Sequence, residues 1–313
     1  MTERQIFQGL GDITPGRRAV ALGTFDGVHL GHRAVVRAAV AAAARHDATA
    51  CAATFHPRPV TVLRPGTPSN TLAGVALRTR LLLEAGADEV ALLRFDRGLA
   101  ELDAEQFVRD VLVERLGTVA VAVGRDFRFG SDRAGDVTLL ERLGAEHGFA
   151  VEAIELLGQD GERISSSRIR GLIAEGRVDE AAQLLGRPPS VEGTVQHGDK
   201  RGREIGFPTA NLGVVPGQQL PAECVYAGWA LGPPGESRHP AAISVGRNPH
   251  FGDVDDLRIE AHLLDYAGDE LYGTPLRLEF VSMLRVQEVY DDVEALIAQI
   301  GRDVAETRRR LAV

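Results

Sequence analysis

Between Ala19 and His46 the chain runs from a short apolar stretch of strand length (Ala19-Val20-Ala21-Leu22), through a loop with glycines at 23, 27 and 31, into an Ala-rich segment. In that segment, Arg33 to His46, Val35, Val36 and Val40 recur at helical spacing. A strand that turns into a helix over three glycines is a place where backbone bends tightly or closely approaches a ligand. The helix N-terminus there offers free N–H groups and the positive end of its dipole, so an anion is the natural guest. His29 and His32 lie three residues apart and share a face if the helix starts here, where two imidazoles can donate to an oxyanion or stabilise developing charge. The same spacing suits zinc, yet the stretch holds no cysteine and no third ligand. Ordinary packed or surface histidines are the plainer alternative. A P-loop, GxxxxGK[ST], and a clean GxGxxG are both absent, so any nucleotide phosphate must be held by another device.

The rest of the first half alternates in kind. Ala48 to Phe55 reads as a strand ending in His56-Pro57-Arg58-Pro59, Val75 to Ala85 as a helix and Glu89 to Leu93 as a strand. Ala104 to Leu116 carries a helical apolar stripe, and Thr118 to Val123 is an uncharged β-rich run suited to a strand covered on both faces. A helix over Thr138 to His147 and a strand over Ala150 to Ile154 follow. Such alternation predicts βαβ units and an α/β doubly wound parallel sheet. Ligands of such sheets lie beyond the carboxyl ends of the strands. The segments GTFDGVHLGH, TFHPRP and GRDFRFG all follow such ends, so they are expected to converge on one cleft.

After a helix over Gly176 to Gly186, the stretch Gly186-Arg187-Pro188-Pro189-Ser190 reads as a linker, and beyond it the pattern changes. Short strand-like runs at 191–196, 224–230, 241–245, 257–264 and 276–281, separated by Gly/Pro turns, predict a small β-barrel. Val289 to Leu311 reads as an amphipathic C-terminal helix. The division expected is therefore 1–186 and 187–313, each half long enough for its own core.

A net charge of −9 argues against a nucleic-acid binder. Two distant cysteines, Cys51 and Cys224, give no disulfide framework, and no apolar run reaches membrane-spanning length. A cytoplasmic protein with no membrane contact is expected; self-association is compatible with the sequence. Lys200 is the sole lysine among 35 cationic side chains, a bias spread over the whole chain.

Four further strings carry chemistry. Gly124 to Gly135 combines Phe, Arg and Asp in a glycine-punctuated loop, either a stacking surface for a flat ring or a solvated charged loop with two anchoring Phe. Ile164 to Arg170 (ISSSRIR) opens a helix with hydroxyls and two cations, and cations there oppose the dipole unless an anion is bound. Gly198 to Leu212 (GDKRGREIGFPTANL) places glycines among basic residues, suited to covering a polyphosphate. Thr209 and Asn211 add neutral oxygens fit for Mg²⁺ together with ATP phosphates. In Ile259 to Gly273, Glu260 points to the opposite strand face from Ile259 and Ala261.

GTFDGVHLGH resembles the HxGH signature of nucleotidylyltransferases and, more narrowly, the adenylyltransferase half of bacterial bifunctional riboflavin kinase/FAD synthetases. GRDFRFG and ISSSRIR resemble strings of the same half, while GFPTANL and E-x-H-L-x-D resemble the riboflavin kinase module. The resemblance implies a nucleotidylyltransferase domain followed by a riboflavin kinase-like barrel with a C-terminal helix. It implies phosphorylation of riboflavin by ATP with Mg²⁺ to FMN, then transfer of AMP from ATP to FMN, giving FAD and pyrophosphate. Carried over, His29, His32 and Glu260 are the catalytic candidates. Gly23, Phe25, Gly31, Ser165, Ser166, Ser167 and Arg168 would bind ATP in the first half, with Asp126, Phe127 and Arg58 at the flavin. Gly198, Lys200, Gly202, Gly206 and Pro208 would bind the kinase ATP, and Thr209 and Asn211 the metal. The chain departs from the family at Arg58, where His is usual, at Ser167 for Thr, at Cys224 for Gly, and at Arg247 and His250, where Thr is common. Two other readings are a different nucleotidylyltransferase with a non-catalytic barrel, and a flavin-sensing regulator built on a degenerate kinase; retention of GFPTANL and Glu260 weighs against both.

Overall fold

The computed structural model describes residues 5–66, 70–155, 161–198, 201–232, 238–248, 253–267 and 271–313. The chain forms two compact units, 1–69 with 73–165, and 70–72 with 166–313.

In the first unit, the order is β1 (Gln5–Phe7), β2 (Arg18–Leu22), α1 (Leu30–His46), β3 (Thr49–His56), α2 (Pro59–Leu63), α3 (Val75–Glu84), β4 (Glu89–Arg94), α4 (Arg97–Glu101), α5 (Ala104–Gln106), β5 (Thr118–Gly124), α6 (Val137–His147) and β6 (Ala150–Ile154). The six strands form one sheet in the order β1-β4-β3-β2-β5-β6, parallel at every pairing. Because side chains alternate across a strand, Val20 and Leu22 enter one core with Phe55, Leu93, Phe107, Leu112 and Leu140. Ala21 and Ala52 face the other, with Val35, Val36, Leu77, Leu81 and Leu92 from α1, α3 and β4. Both faces are covered, as a doubly wound sheet requires. The order reverses at β2: β3 lies on one side of it and β5 on the other. The loops leaving β2 and β5 therefore flank the topological switch point, where ligands of this architecture bind.

Two local features go beyond the periodicity. Strand β1 is three residues long and lies at the sheet edge, too short to carry a pattern. The stripe expected as one helix from Ala104 is α-helical only as far as Gln106, and continues as a π-helix over Phe107–Arg115. There Leu116 N–H bonds to the Val111 carbonyl, an i→i+5 step. The wider turn suits apolar residues spaced four and five apart, and Phe107, Val111, Leu112 and Leu116 are all buried.

The second unit begins with α7 (Ser166–Ala174) and α8 (Val178–Leu185) and continues through β7 (Ser190–Gln196), α9 (Arg201–Glu204), β8 (Ala210–Val214), β9 (Cys224–Leu231), β10 (Arg238–Asn248), β11 (Asp253–Leu263), β12 (Pro275–Val286) and α10 (Val293–Leu311). Six strands close into a barrel in the order β10-β11-β8-β7-β12-β9. Val191, Val195, Leu212, Tyr226, Ile243, Ile259, Ala261, Leu278 and Phe280 fill its interior. Strand β8 is the one the sequence pattern did not suggest, because the GFPTANL string reads as a glycine/proline loop. The α7–α8 pair groups with the barrel rather than with the sheet, and Val178 is fully buried in the barrel's core cluster. The compact units thus divide at 165/166, ahead of the Gly/Pro linker at 186–190 that suggests a boundary in the sequence. Helix α10 is capped by Asp292, which accepts from Ala295 N–H, and is pinned to β12 by Asp303, which is buried and accepts three hydrogen bonds from Arg285 at 2.8 to 3.1 Å.

Candidate active sites

The β2–α1 loop folds tightly for reasons visible residue by residue. Gly27 has φ +84°, and two non-glycine residues, Phe25 (φ +47°) and Val28 (φ +42°), are also held in the left-handed region. A bulky and a β-branched residue adopt that region only where surroundings impose it. Both are buried, at 1% and 0% exposure, and both belong to the core facing α1 and α3. The Phe25 ring is therefore committed to the core, and it meets the His32 ring edge-on at 5.3 Å. Gly23 packs against the Phe25 ring; a Cβ there would lie 3.1 Å from it.

His29 is the N-cap of α1: its Nδ1 accepts from His32 N–H at 3.2 Å. A neutral His29 thus carries its proton on Nε2. The His29 and His32 rings stack at 3.5 Å with 17° between planes. Burial, followed by the neighbouring His29, holds His32 well below the ordinary histidine range. His32 is consequently neutral near pH 7. It can donate or accept one hydrogen bond but does not supply a standing positive charge, and its Nδ1 is buried without a hydrogen-bond partner among the described residues. Gly31 is buried in the first turn of α1. Regarding zinc, no group of three His, Cys, Asp or Glu side chains is placed to hold a metal among the described residues.

The loop after β3 meets this element directly. Arg58 donates to Asp26 at 2.6 Å, with both side chains almost wholly buried. The loop after β5 leaves from the strand next to β2, at the same carboxyl edge. In it Asp126 pairs with Arg163, and Phe127 stacks on the buried Phe129 at 5.7 Å. Of the ISSSRIR residues, Ser165 ends the first unit, while Ser166, Ser167 and Arg168 open α7 in the second. Ser167 Oγ accepts from Arg170 at 3.2 Å.

In the barrel, Gly198 and Gly202 of the GDKRGREIGFPTANL string are spacers. A Cβ on Gly198 would lie 2.2 Å from Asn211 Nδ2, and one on Gly202 would lie 2.4 Å from the Phe207 carbonyl and 3.5 Å from Thr209 Oγ1. Phe207 N–H closes this turn onto the Gly202 carbonyl at 2.7 Å, and Gly206 takes φ +89°. Pro208 is exposed, and its carbonyl accepts from His262 Nδ1 at 2.8 Å. Across the sheet, Glu260 is registered directly opposite Asn211. Ile259 and Ala261 are buried in the barrel core, so Glu260 faces outward beside Asn211. Lys200 lies outside the described residues.

A family model described as FAD synthetase matches residues 13–168, and one described as riboflavin kinase matches residues 185–311. The bifunctional riboflavin kinase/FMN adenylyltransferase of Escherichia coli strain K12 is 36% identical over 289 residues, covering 92% of this chain and 91% of that protein. Its counterpart in Pseudomonas fluorescens is 36% identical over 306 residues, covering 97% of each chain. The chain belongs to the bifunctional riboflavin kinase/FMN adenylyltransferase family. A solved structure named macrolide-efflux protein, from Streptococcus pneumoniae, covers 97% of this chain and 99% of its own at 30% identity and a TM-score of 0.86. In the present family member, no described helix is long and apolar enough to cross a membrane.

The departures from the family pattern have visible settings. Arg58 is engaged by Asp26. Cys224 is buried at the start of β9, where burial pushes its thiol above the ordinary range. Arg247 pairs with Glu223 at 3.3 Å on the surface. His250 lies outside the described residues. Sequence reasoning missed Asp26, whose signal is a carboxylate inside a glycine loop that otherwise favours anions, and Arg78, which has no local signal.

Proposed function

We propose that the chain makes FMN from riboflavin at the barrel and FAD from FMN at the carboxyl edge of the parallel sheet, each with ATP. The observation that carries the two-site reading is that the histidine loop and the Gly198–Asn211–Glu260 set come together in different units. His29, His32 and Phe25 meet in the first, while Gly198, Asn211 and Glu260 meet in the second.

At the sheet edge, an FMN phosphate oxygen attacks the α-phosphorus of ATP, a P–O bond forms, and pyrophosphate leaves. The nucleophile is already ionised near neutral pH, so the site needs alignment and charge stabilisation rather than a base. The α1 N-terminus and the Nε2–H of His29 supply donors. His32, neutral in the resting site, adds a further hydrogen bond, and an incoming polyphosphate raises its affinity for a proton. Within the first unit, Ser165 would contact the phosphates, and Asp126, Phe127 and Arg58 the flavin.

At the barrel, the nucleophile is a neutral alcohol, and Glu260 takes its proton as the γ-phosphoryl group is transferred. Gly198, Lys200, Gly202, Gly206 and Pro208 would cover the ATP phosphates. Thr209 and Asn211 fit a hard divalent cation: both present neutral oxygens, and the close approach of Gly198 holds the Asn211 amide in place. Mg²⁺ there would neutralise phosphate charge, leaving the remaining coordination to ATP and water. Incubation with riboflavin, ATP and Mg²⁺, followed by separation of flavins, tests the reading. FMN and then FAD are expected; neither product, or FMN alone even when FMN is resupplied, would contradict it. The cysteine usage and composition support a cytoplasmic location.

A further inference from the structure

One buried cation in the first unit has no part in the chemistry above. Arg78 projects from α3 and is only 2% exposed. Its Nη1 donates to the Thr24 carbonyl and its Nη2 to the Phe55 carbonyl, each at 3.1 Å. One planar fork thereby joins the loop after β2 to the end of β3. The Thr24 carbonyl also accepts from Thr54 Oγ1 at 2.9 Å, so both of its lone pairs are engaged. That carbonyl belongs to the peptide leading into Phe25, whose φ of +47° is set by the orientation of the same peptide plane. Phe25 in turn abuts the His32 ring.

Keeping a guanidinium this dry is costly, and burial pulls Arg78 below its ordinary value. Asp26 opposes that effect, but Asp26 is already bonded to Arg58. Core packing alone would be met by Met or Leu at this position. The burial of a forked cation on two carbonyls indicates that holding the loop matters.

We propose that Arg78 is a positioning residue for adenylyl transfer: by fixing the Thr24 carbonyl it imposes the strained Phe25 backbone, which sets the His32 ring against the reacting phosphates. This rests on reading the loop as the adenylyl-transfer site.

The test uses the full chain with Arg78→Met and Arg78→Lys, assayed for FAD formation from supplied FMN and for FMN formation from riboflavin. Arg78→Met should lower kcat for FAD by on the order of a hundredfold with KM for ATP changed only a few-fold, as displacing a catalytic group by about 1 Å does. Arg78→Lys, which keeps the charge and one bond, should recover at least tenfold of that loss, and FMN formation should be unchanged in both. The histidine ring signal that disappears in His32→Ala should shift in Arg78→Met and move back toward its wild-type position in Arg78→Lys. Wild-type kcat in Arg78→Met, a loss confined to KM, or an unmoved His32 signal would overturn the proposal. If Arg78→Met does not fold, Arg78→Lys decides: reduced kcat with a shifted signal supports it, and wild-type values in both overturn it. Should His32→Ala itself leave FAD formation intact, the assignment of the loop fails, which is a separate result.

Discussion

Gly198→Ala puts one methyl group where the structure has no room for it. The new carbon would stand 2.2 Å from Asn211 Nδ2 and 2.6 Å from its Cγ, whereas Cβ atoms essentially never come within 3.0 Å of another heavy atom. Gly198 is not in the left-handed region, so alanine adds no intrinsic backbone strain there. The clash is relieved only if the Asn211 side chain turns away or strand β8 shifts by about 1 Å. Either removes a proposed metal donor from its place opposite Glu260. Misplacement on that scale costs roughly a hundredfold in rate, or about 2.7 kcal/mol in the barrel's transition-state barrier. Steady-state FMN formation from riboflavin measures it, with Mg²⁺ varied. The variant should show the loss together with a raised Mg²⁺ requirement, and FAD formation from supplied FMN should be unchanged. Normal FMN formation at low Mg²⁺ would refute the argument that Gly198 is a spacer for Asn211.

Other outcomes follow from single features. Because His32 is held below its ordinary value, the unfolded chain binds the extra proton first: that contribution to stability is complete above about pH 6.5 and is lost as pH falls toward the folded-state value. A scan of melting temperature from pH 7.5 to 5 should therefore fall less steeply in His32→Asn than in wild type; equal slopes would contradict the desolvated placement. Asp303→Ala leaves Arg285 without its buried partner and should destabilise the barrel unit by about 3 kcal/mol, read as the denaturant midpoint of a barrel fragment. A fragment beginning at Ser166 should outlast one beginning at Arg187 on heating, because the shorter one loses Val178 from the barrel core; identical melting would show the α7–α8 pair to be dispensable.

Much of this architecture was legible because it rests on periodicity and glycine. The βα alternation from Ala19 to Ile154 survives almost residue for residue, since strands covered on both faces must be apolar throughout. The GTFDGVHLGH and GFPTANL strings were legible because tight turns and close approaches select glycine. What escaped has a different physical origin. Strand β1 makes its bonds along a sheet edge with three residues, and β8 is recruited by closure of the barrel, an event between strands distant in sequence. The π-helix over Phe107–Arg115 shares its apolar stripe with an ordinary helix. Arg78 lies 54 residues from Thr24, and nothing local distinguishes it from the surface arginines around it. The neutrality of His32 is likewise a product of burial and stacking, where spacing alone suggested a charge-stabilising pair.

In the proposed reading, two chemistries with different requirements occupy two separate sites in one chain. The most direct measurement separates riboflavin, FMN and FAD after incubating His32→Ala and Glu260→Gln with ATP and Mg²⁺, once from riboflavin and once from FMN. His32→Ala should accumulate FMN and make FAD on the order of a hundredfold more slowly. Glu260→Gln should convert supplied FMN to FAD at the wild-type rate, yet phosphorylate riboflavin a hundred- to ten-thousandfold more slowly, roughly the contribution of a general base. Equal loss of both activities in either variant, with the protein folded, would mean that the two chemistries share one site.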